Sequence, residues 1–263
     1  MPTLRPEPHR ARDAAESFGA DAEGYDRTRP GYPDAMVQAI VAASPGLDVL
    51  DAGIGTGIAA RQFRTAGCRV LGVDVDSRMA DFARSDGFAV EVARFEDWDP
   101  ADRVFDAVVA GQAWHWIDPV AGAAKAAHVL RPGGRLAAFW NVFQPPQDLA
   151  AAFADVHRRV MPGPLADVLA KPALDTYAVM FTSASDGMRE TGVLGEPQQW
   201  RFDRDQDYTR AEWLDQMPTH GGYARLAPSQ LEELLAGVGA AVDAAGGGFT
   251  MHVTTVVVTA ART

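Results

Sequence analysis

The chain has 263 residues, 47% hydrophobic and 22% charged, which is enough for one large domain, or a core with an appendage, around a substantial apolar interior. Lys and Arg number 24 against 35 Asp and Glu, for a net charge of −11. Such a surface repels polyanions, and the basic stretches (Arg5 to Arg12, and Arg158 with Arg159) are short and mixed with acids, so DNA and RNA are excluded as expected partners.

Residues 1–17, "MPTLRPEPHRARDAAES", carry three prolines and no apolar stretch, so they read as a loose tail rather than a secretion signal. "FGADAEGYDRTRPGYP" follows as an ordered loop holding Tyr25, Arg29 and Tyr32, and "DAMVQAIVAAS" has helical spacing. These two make a lid-like segment over 18–45. Strand and helix then alternate: strand 47–51, helix 56–67, strand 69–74, helix 77–87 with Ser77 as N-cap, and strand 88–93. A fourth strand (104–110), a helix over 118–130 capped by Asp118 with Pro119 at its first position, and a fifth strand (135–141) complete the series. This rhythm predicts an α/β fold, a doubly wound parallel sheet covered on both faces.

The rhythm stops at Val142. Residues 142–245 read as a mostly helical insertion rich in Phe, Trp, Tyr and Met, with "QQWRFD" alternating like a strand. "MHVTTVVVTAA" restores a β-branched strand, so 46–141 and 246–263 form one core and the insertion covers it. The one cysteine, Cys68, excludes an intrachain disulfide and a cysteine-built zinc site, and points to a reducing cytoplasm. No segment reaches the run of about 18 apolar residues that a membrane span needs.

The chemistry centres on "VLDAGIGTGIAARQF", residues 49–63. In an open α/β sheet the ligand lies at the carboxyl ends of the strands, and this glycine turn follows the first of them. A P-loop fails because no Lys follows the glycines. A dinucleotide fingerprint needs a third glycine where Ile58 stands, and a pyrophosphate is poorly matched to Asp51. A nucleoside carrying an ammonium and a sulfonium welcomes that acid. Gly53 and Gly55 let the backbone approach such a ligand. Asp74, ending the second strand, is placed to bind ribose hydroxyls, with Val75 on the adenine face.

The series DAGIGTG, VLGVDVDSRM, FDAVVAGQAWHWID and VLRPGG resembles the class I S-adenosylmethionine-dependent methyltransferases over about residues 46–141. "YDRTRPGYP" and "YTRAEWLDQMPTHGGYARL" resemble the small-molecule branch related to trans-aconitate methyltransferase. The resemblance implies a Rossmann-like, mostly parallel seven-stranded sheet, with S-adenosylmethionine as cofactor and S-adenosylhomocysteine as product. It implies Asp51, Gly53 and Gly55 at the methionine part, Asp74 at the ribose, and Val75 and Met79 at the adenine. The backbone at Phe95 and Glu96 would read the adenine edge, Ala110 and Gln112 would approach the amino group, and Arg29 would pair with the carboxylate.

His115, in the loop after the fourth strand, has the chemistry of a general base, or else props that loop beside Trp114 and Trp116. Tyr25 is a second candidate for catalysis. Tyr32, Trp114 and His220 are candidates for acceptor contact, against the plainer roles of packing or turn residues. No (D/N/S)PP(Y/F/W) follows the fourth strand, and no metal triad is seen, so the expected acceptor is a small, partly apolar or aromatic metabolite. The alternatives are a non-catalytic S-adenosylmethionine-binding protein and, further off, an NAD(P)-dependent oxidoreductase. The residues leave open a monomer or a homodimer.

Overall fold

The computed structural model describes residues 16–162, 171–220, 223 and 226–263, so most of the tail expected over 1–17 lies outside the described residues. Where an ordered loop is expected, a short 3₁₀ turn (Glu16–Asp21) leads into helix α1 (Ala22–Thr28). Asp21 starts that helix by accepting the Gly24 N–H, a cap that the surrounding glycines obscure in the sequence. Helix α2 (Asp34–Ala42) follows the Pro33 stop.

The alternating core then runs β1 (Asp48–Ala52), α3 (Ile58–Thr65), β2 (Arg69–Asp74), α4 (Ser77–Ser85), β3 (Ala89–Val92) and β4 (Phe105–Gly111). Helix α5 (Pro119–Val129) follows, then β5 (Leu130–Gln144). Asp118 caps α5 as expected, accepting from Val120 and Ala121. Ser77, expected to cap α4, is instead its first helical residue, because Asp76 takes the Arg78 N–H. The α3 helix begins later than the sequence suggests, since Gly57 sits at φ 91° ahead of it.

The seven strands are ordered β3-β2-β1-β4-β5-β7-β6, the first five mutually parallel. The order reverses between β1 and β4, which places a crevice at their carboxyl ends. One face packs Leu50, Val108, Trp140 and Phe181; the other packs Met36, Ile40, Phe63 and Phe139. Among the described residues no helix is long and apolar enough to cross a membrane.

The segment expected as a helical insertion contains α6 (Gln147–Val160), α7 (Ala173–Glu190), β6 (Gln198–Thr209), α8 (Arg210–Gln216) and α9 (Pro228–Ala244), before β7 (Gly248–Ala261). It is therefore also part of the sheet: β6 forms its edge, paired antiparallel to β7 from Gln198↔Thr259 to Thr209↔Gly248. Strand β4 ends at Gly111, opposite Phe139, whereas β5 continues to Gln144 against His252 of β7. Strands β5, β6 and β7 thus rise past the carboxyl end of β4. That raised platform carries a second core of Phe153, Trp213, Met217, Leu234, Val238 and Met251, from α6, α8, the 3₁₀ turn after it, α9 and β7.

Candidate cofactor site and acceptor chamber

Three left-handed glycines shape the turn after β1: Gly53 (φ 81°), Gly55 (φ 57°) and Gly57 (φ 91°). Side chains are disfavoured in that region of backbone space. A Cβ at Gly53 would lie 2.5 Å from that of Ala113, whereas one at Gly55 would meet nothing within 4 Å. Gly55 therefore faces the open crevice.

Two carboxylates stand at this turn. Asp74 accepts the Gly55 N–H at 2.7 Å and the Asp76 N–H at 2.9 Å, one on each oxygen. Each oxygen keeps a second lone pair, so a pair of hydroxyls can still be held there. Asp51 differs. It is 1% exposed, and neither oxygen has a hydrogen-bond partner among the described residues. Burial, and then the Asp74 charge, raises its carboxyl to about 8. A buried acid in that condition costs free energy until a cation or a donor is brought to it. The glycines, the reversed strand order and an acid with no partner among the described residues form a candidate site whose chemistry suits a nucleoside bearing positive charge.

Around the crevice, Met79 is buried at the start of α4 while Val75 is exposed on the rim. Phe95 packs into the core 6.2 Å from the Trp114 ring, and Glu96 accepts the Asp118 N–H at 2.9 Å, tying its loop to α5. Ala110 is fully buried in β4. Gln112 adopts φ 55°, with its N–H on the Phe139 carbonyl and its amide on that of Asn141. Trp114 is 2% exposed and part of the main core, so its ring is walled in rather than presented to a ligand.

His115 accepts the Trp140 indole N–H on Nδ1 at 3.2 Å, which leaves the ring proton on Nε2. Burial lowers its pKa to about 3, so the ring is neutral at physiological pH. Its one free lone pair is already engaged.

Arg29 donates to the Thr219 carbonyl at 2.8 Å and lies over the Tyr25 ring at 4.9 Å, while its buried Nε has no partner among the described residues. Its charge reaches Tyr32, Tyr177, Tyr208 and His220. Tyr32, stacked edge-on to Phe139 at 4.7 Å, holds its hydroxyl beside Gly111 and feels the Asp51 charge. Tyr25, Tyr32 and His220 are therefore gathered around Arg29.

Beyond them, under the second core, lies a cavity of about 680 Å³. Phe143, Phe153, Met217, Val238 and Met251 give it apolar walls, and His157, His220 and Tyr223 line it as well. Sequence reasoning missed His157 and Tyr223. The only available signal was the aromatic richness of the segment, which does not distinguish a residue lining a cavity from one filling a core.

Residues 50–138 match a family model described as a methyltransferase domain. An uncharacterised methyltransferase of Mycobacterium tuberculosis is 38% identical over 133 residues, covering 49% of this chain and 54% of that protein. A malonyl-[acyl-carrier protein] O-methyltransferase of Pectobacterium atrosepticum is 33% identical over 128 residues, covering 47% and 51%. The chain thus spans about half the length of these curated relatives. A methyltransferase structure from Anaeromyxobacter dehalogenans shares the fold at a TM-score of 0.59 and 24% identity, covering 89% of this chain and 97% of that one. Residues 50–138 are thus similar to a methyltransferase domain, and the chain shares its fold with a methyltransferase structure.

Proposed function

We propose that the protein transfers the methyl group of S-adenosylmethionine to a small, partly apolar or aromatic acceptor seated in the chamber. The observation that carries this reading is Asp51, a buried acid without a hydrogen-bond partner among the described residues, at the mouth of a glycine cradle. When bound, the cofactor supplies an already activated methyl on a positively charged sulfur. The work left to the chain is alignment and exclusion of water. Gly53 and Gly55 admit the nucleoside, Asp74 holds the ribose, and Val75 and Met79 flank the adenine. The backbone at Phe95 and Glu96 reads the adenine edge. Ala110 and Gln112 take the amino group, and Arg29 takes the carboxylate.

In this reading His115 is a hydrogen-bond donor to the acceptor through Nε2 rather than a base, because Trp140 occupies its other nitrogen. Tyr25 and Tyr32 close the lid over the methyl group. The 46–141 and 246–263 segments act as the cofactor core, and the raised strands with α6, α8 and α9 enclose the acceptor.

Formation of S-adenosylhomocysteine from S-adenosylmethionine, screened over small phenols, enols and aromatic acids, tests the reading. Turnover with at least one of these acceptors, lost in Asp51→Ala, is expected. A protein that binds the cofactor yet turns over none of them supports the non-catalytic binding reading instead.

A further inference from the structure

His157, His220 and Tyr223 form a connected polar group on the chamber lining, which also includes Gln144, Asp155, Arg158 and Lys171, and the proton positions on the connected group can be assigned. His157 Nδ1 lies 2.6 Å from the Phe153 carbonyl, one turn back on α6, so that nitrogen carries the ring proton. Its Nε2 is left as an acceptor and takes the Tyr223 hydroxyl at 2.5 Å. The tyrosine proton is committed there, and the lone pairs of its oxygen remain available to a third group. His220 stacks on Tyr223, with ring centroids 5.9 Å apart and planes 20° apart. The Gln216 amide nitrogen faces His220 Nε2 at 3.3 Å, which puts the His220 proton on Nδ1. That Nδ1 has no partner among the described residues although His220 is only 4% exposed. The adjoining Trp213, 6.3 Å away ring to ring, has an unpartnered indole N–H too.

An acceptor of hydrogen bonds therefore stands beside a donor, in a cavity that the apolar side chains of Phe153, Met217, Val238 and Met251 also line. A hydroxyl matches both, donating to Tyr223 Oη and accepting from His220 Nδ1. A carboxylate would face the tyrosine lone pairs, and an ammonium would face the imidazole N–H. Burial depresses the pKa of both histidines, with the Arg29 charge adding to the effect at His220, so both rings are neutral and the proton placement holds. We propose that Tyr223, oriented by His157, and His220 form a specificity site for a hydroxyl group on the methyl acceptor.

This rests on the chamber being the acceptor site, and the test separates the two claims. Protein saturated with S-adenosylhomocysteine is titrated with 2-naphthol, 2-methoxynaphthalene and 2-naphthoate. The methoxy compound still accepts from His220 but cannot donate to Tyr223, so 2-naphthol binds about tenfold or more tightly, as in sites built to hydrogen-bond a hydroxyl. In Tyr223→Phe the two affinities converge, while those for 2-methoxynaphthalene and S-adenosylhomocysteine stay as in the wild type. Equal wild-type affinities, a preference that survives Tyr223→Phe, tighter binding of 2-naphthoate, or no binding of any probe overturns the proposal. The wild-type comparison does so without any variant. Loss of S-adenosylhomocysteine binding by the wild type would instead overturn the cofactor reading.

Discussion

Asp51 carries a pH signature that follows from its place in the fold. Burial raises its carboxyl from 3.8 to about 8, so the folded apo protein keeps a proton that the unfolded chain releases. The stability from this group is fully present below about pH 4 and is lost as pH rises toward 8. Thermal unfolding of the apo protein should show that decline, and Asp51→Asn should flatten it; an unchanged slope would remove Asp51 from the account. A cationic ligand favours the carboxylate, so binding near neutral pH should expel a proton. The calorimetric heat should then vary with the ionisation enthalpy of the buffer, and cease to vary in Asp51→Asn. Gly55 permits a second test at this scale. Alanine there would strain the left-handed backbone by about 1–2 kcal/mol and put a methyl group into the open crevice. Cofactor affinity should fall more than stability does, as read by titration against thermal unfolding.

Among the elements, those with strong local signals were legible. Asp118-Pro119 announces the start of α5 through side-chain capping and a preset φ, and Asp118→Ala should cost about 1 kcal/mol, seen as a drop in Tm of about 2–4 °C. The glycine turn, both carboxylates at the strand ends and the five parallel strands were equally readable, because acid and glycine positions are dictated by backbone geometry. Three features were not. Helix α1 looked like a loop because Gly24 and the Gly-Pro stretch after it mask the Asp21 cap. The cap of α4 moved from Ser77 to Asp76, which accepts the Arg78 N–H while also pairing with its guanidinium. Strand β6 showed only its first half, since Asp205 and Asp207 are acids that an edge strand tolerates on its exposed face.

For the molecule as a whole, the decisive feature is the overshoot of β5, β6 and β7 past the carboxyl end of β4. It adds a cavity beyond the glycine turn, and it depends on pairing between segments far apart in sequence. Residues of that chamber come from β5, α6, α7, α8, the segment after α8, α9 and β7, elements whose convergence no local sequence pattern announces, so sequence alone named His220 but not His157 or Tyr223. Because the chamber is built apart from the glycine cradle, filling it should separate the two functions. Val238→Trp should raise KM for an acceptor or abolish its turnover, with S-adenosylhomocysteine affinity unchanged; parallel loss of both would contradict the division. The central claim remains that the cradle holds S-adenosylmethionine. The direct measurement is calorimetric titration with S-adenosylmethionine, S-adenosylhomocysteine and NADH, for the wild type and for Asp74→Ala. Binding of both sulfur compounds, sharply weakened in the variant and absent for NADH, is the predicted result. A folded, ligand-stripped protein that ignores both, or that binds NADH instead, would contradict it.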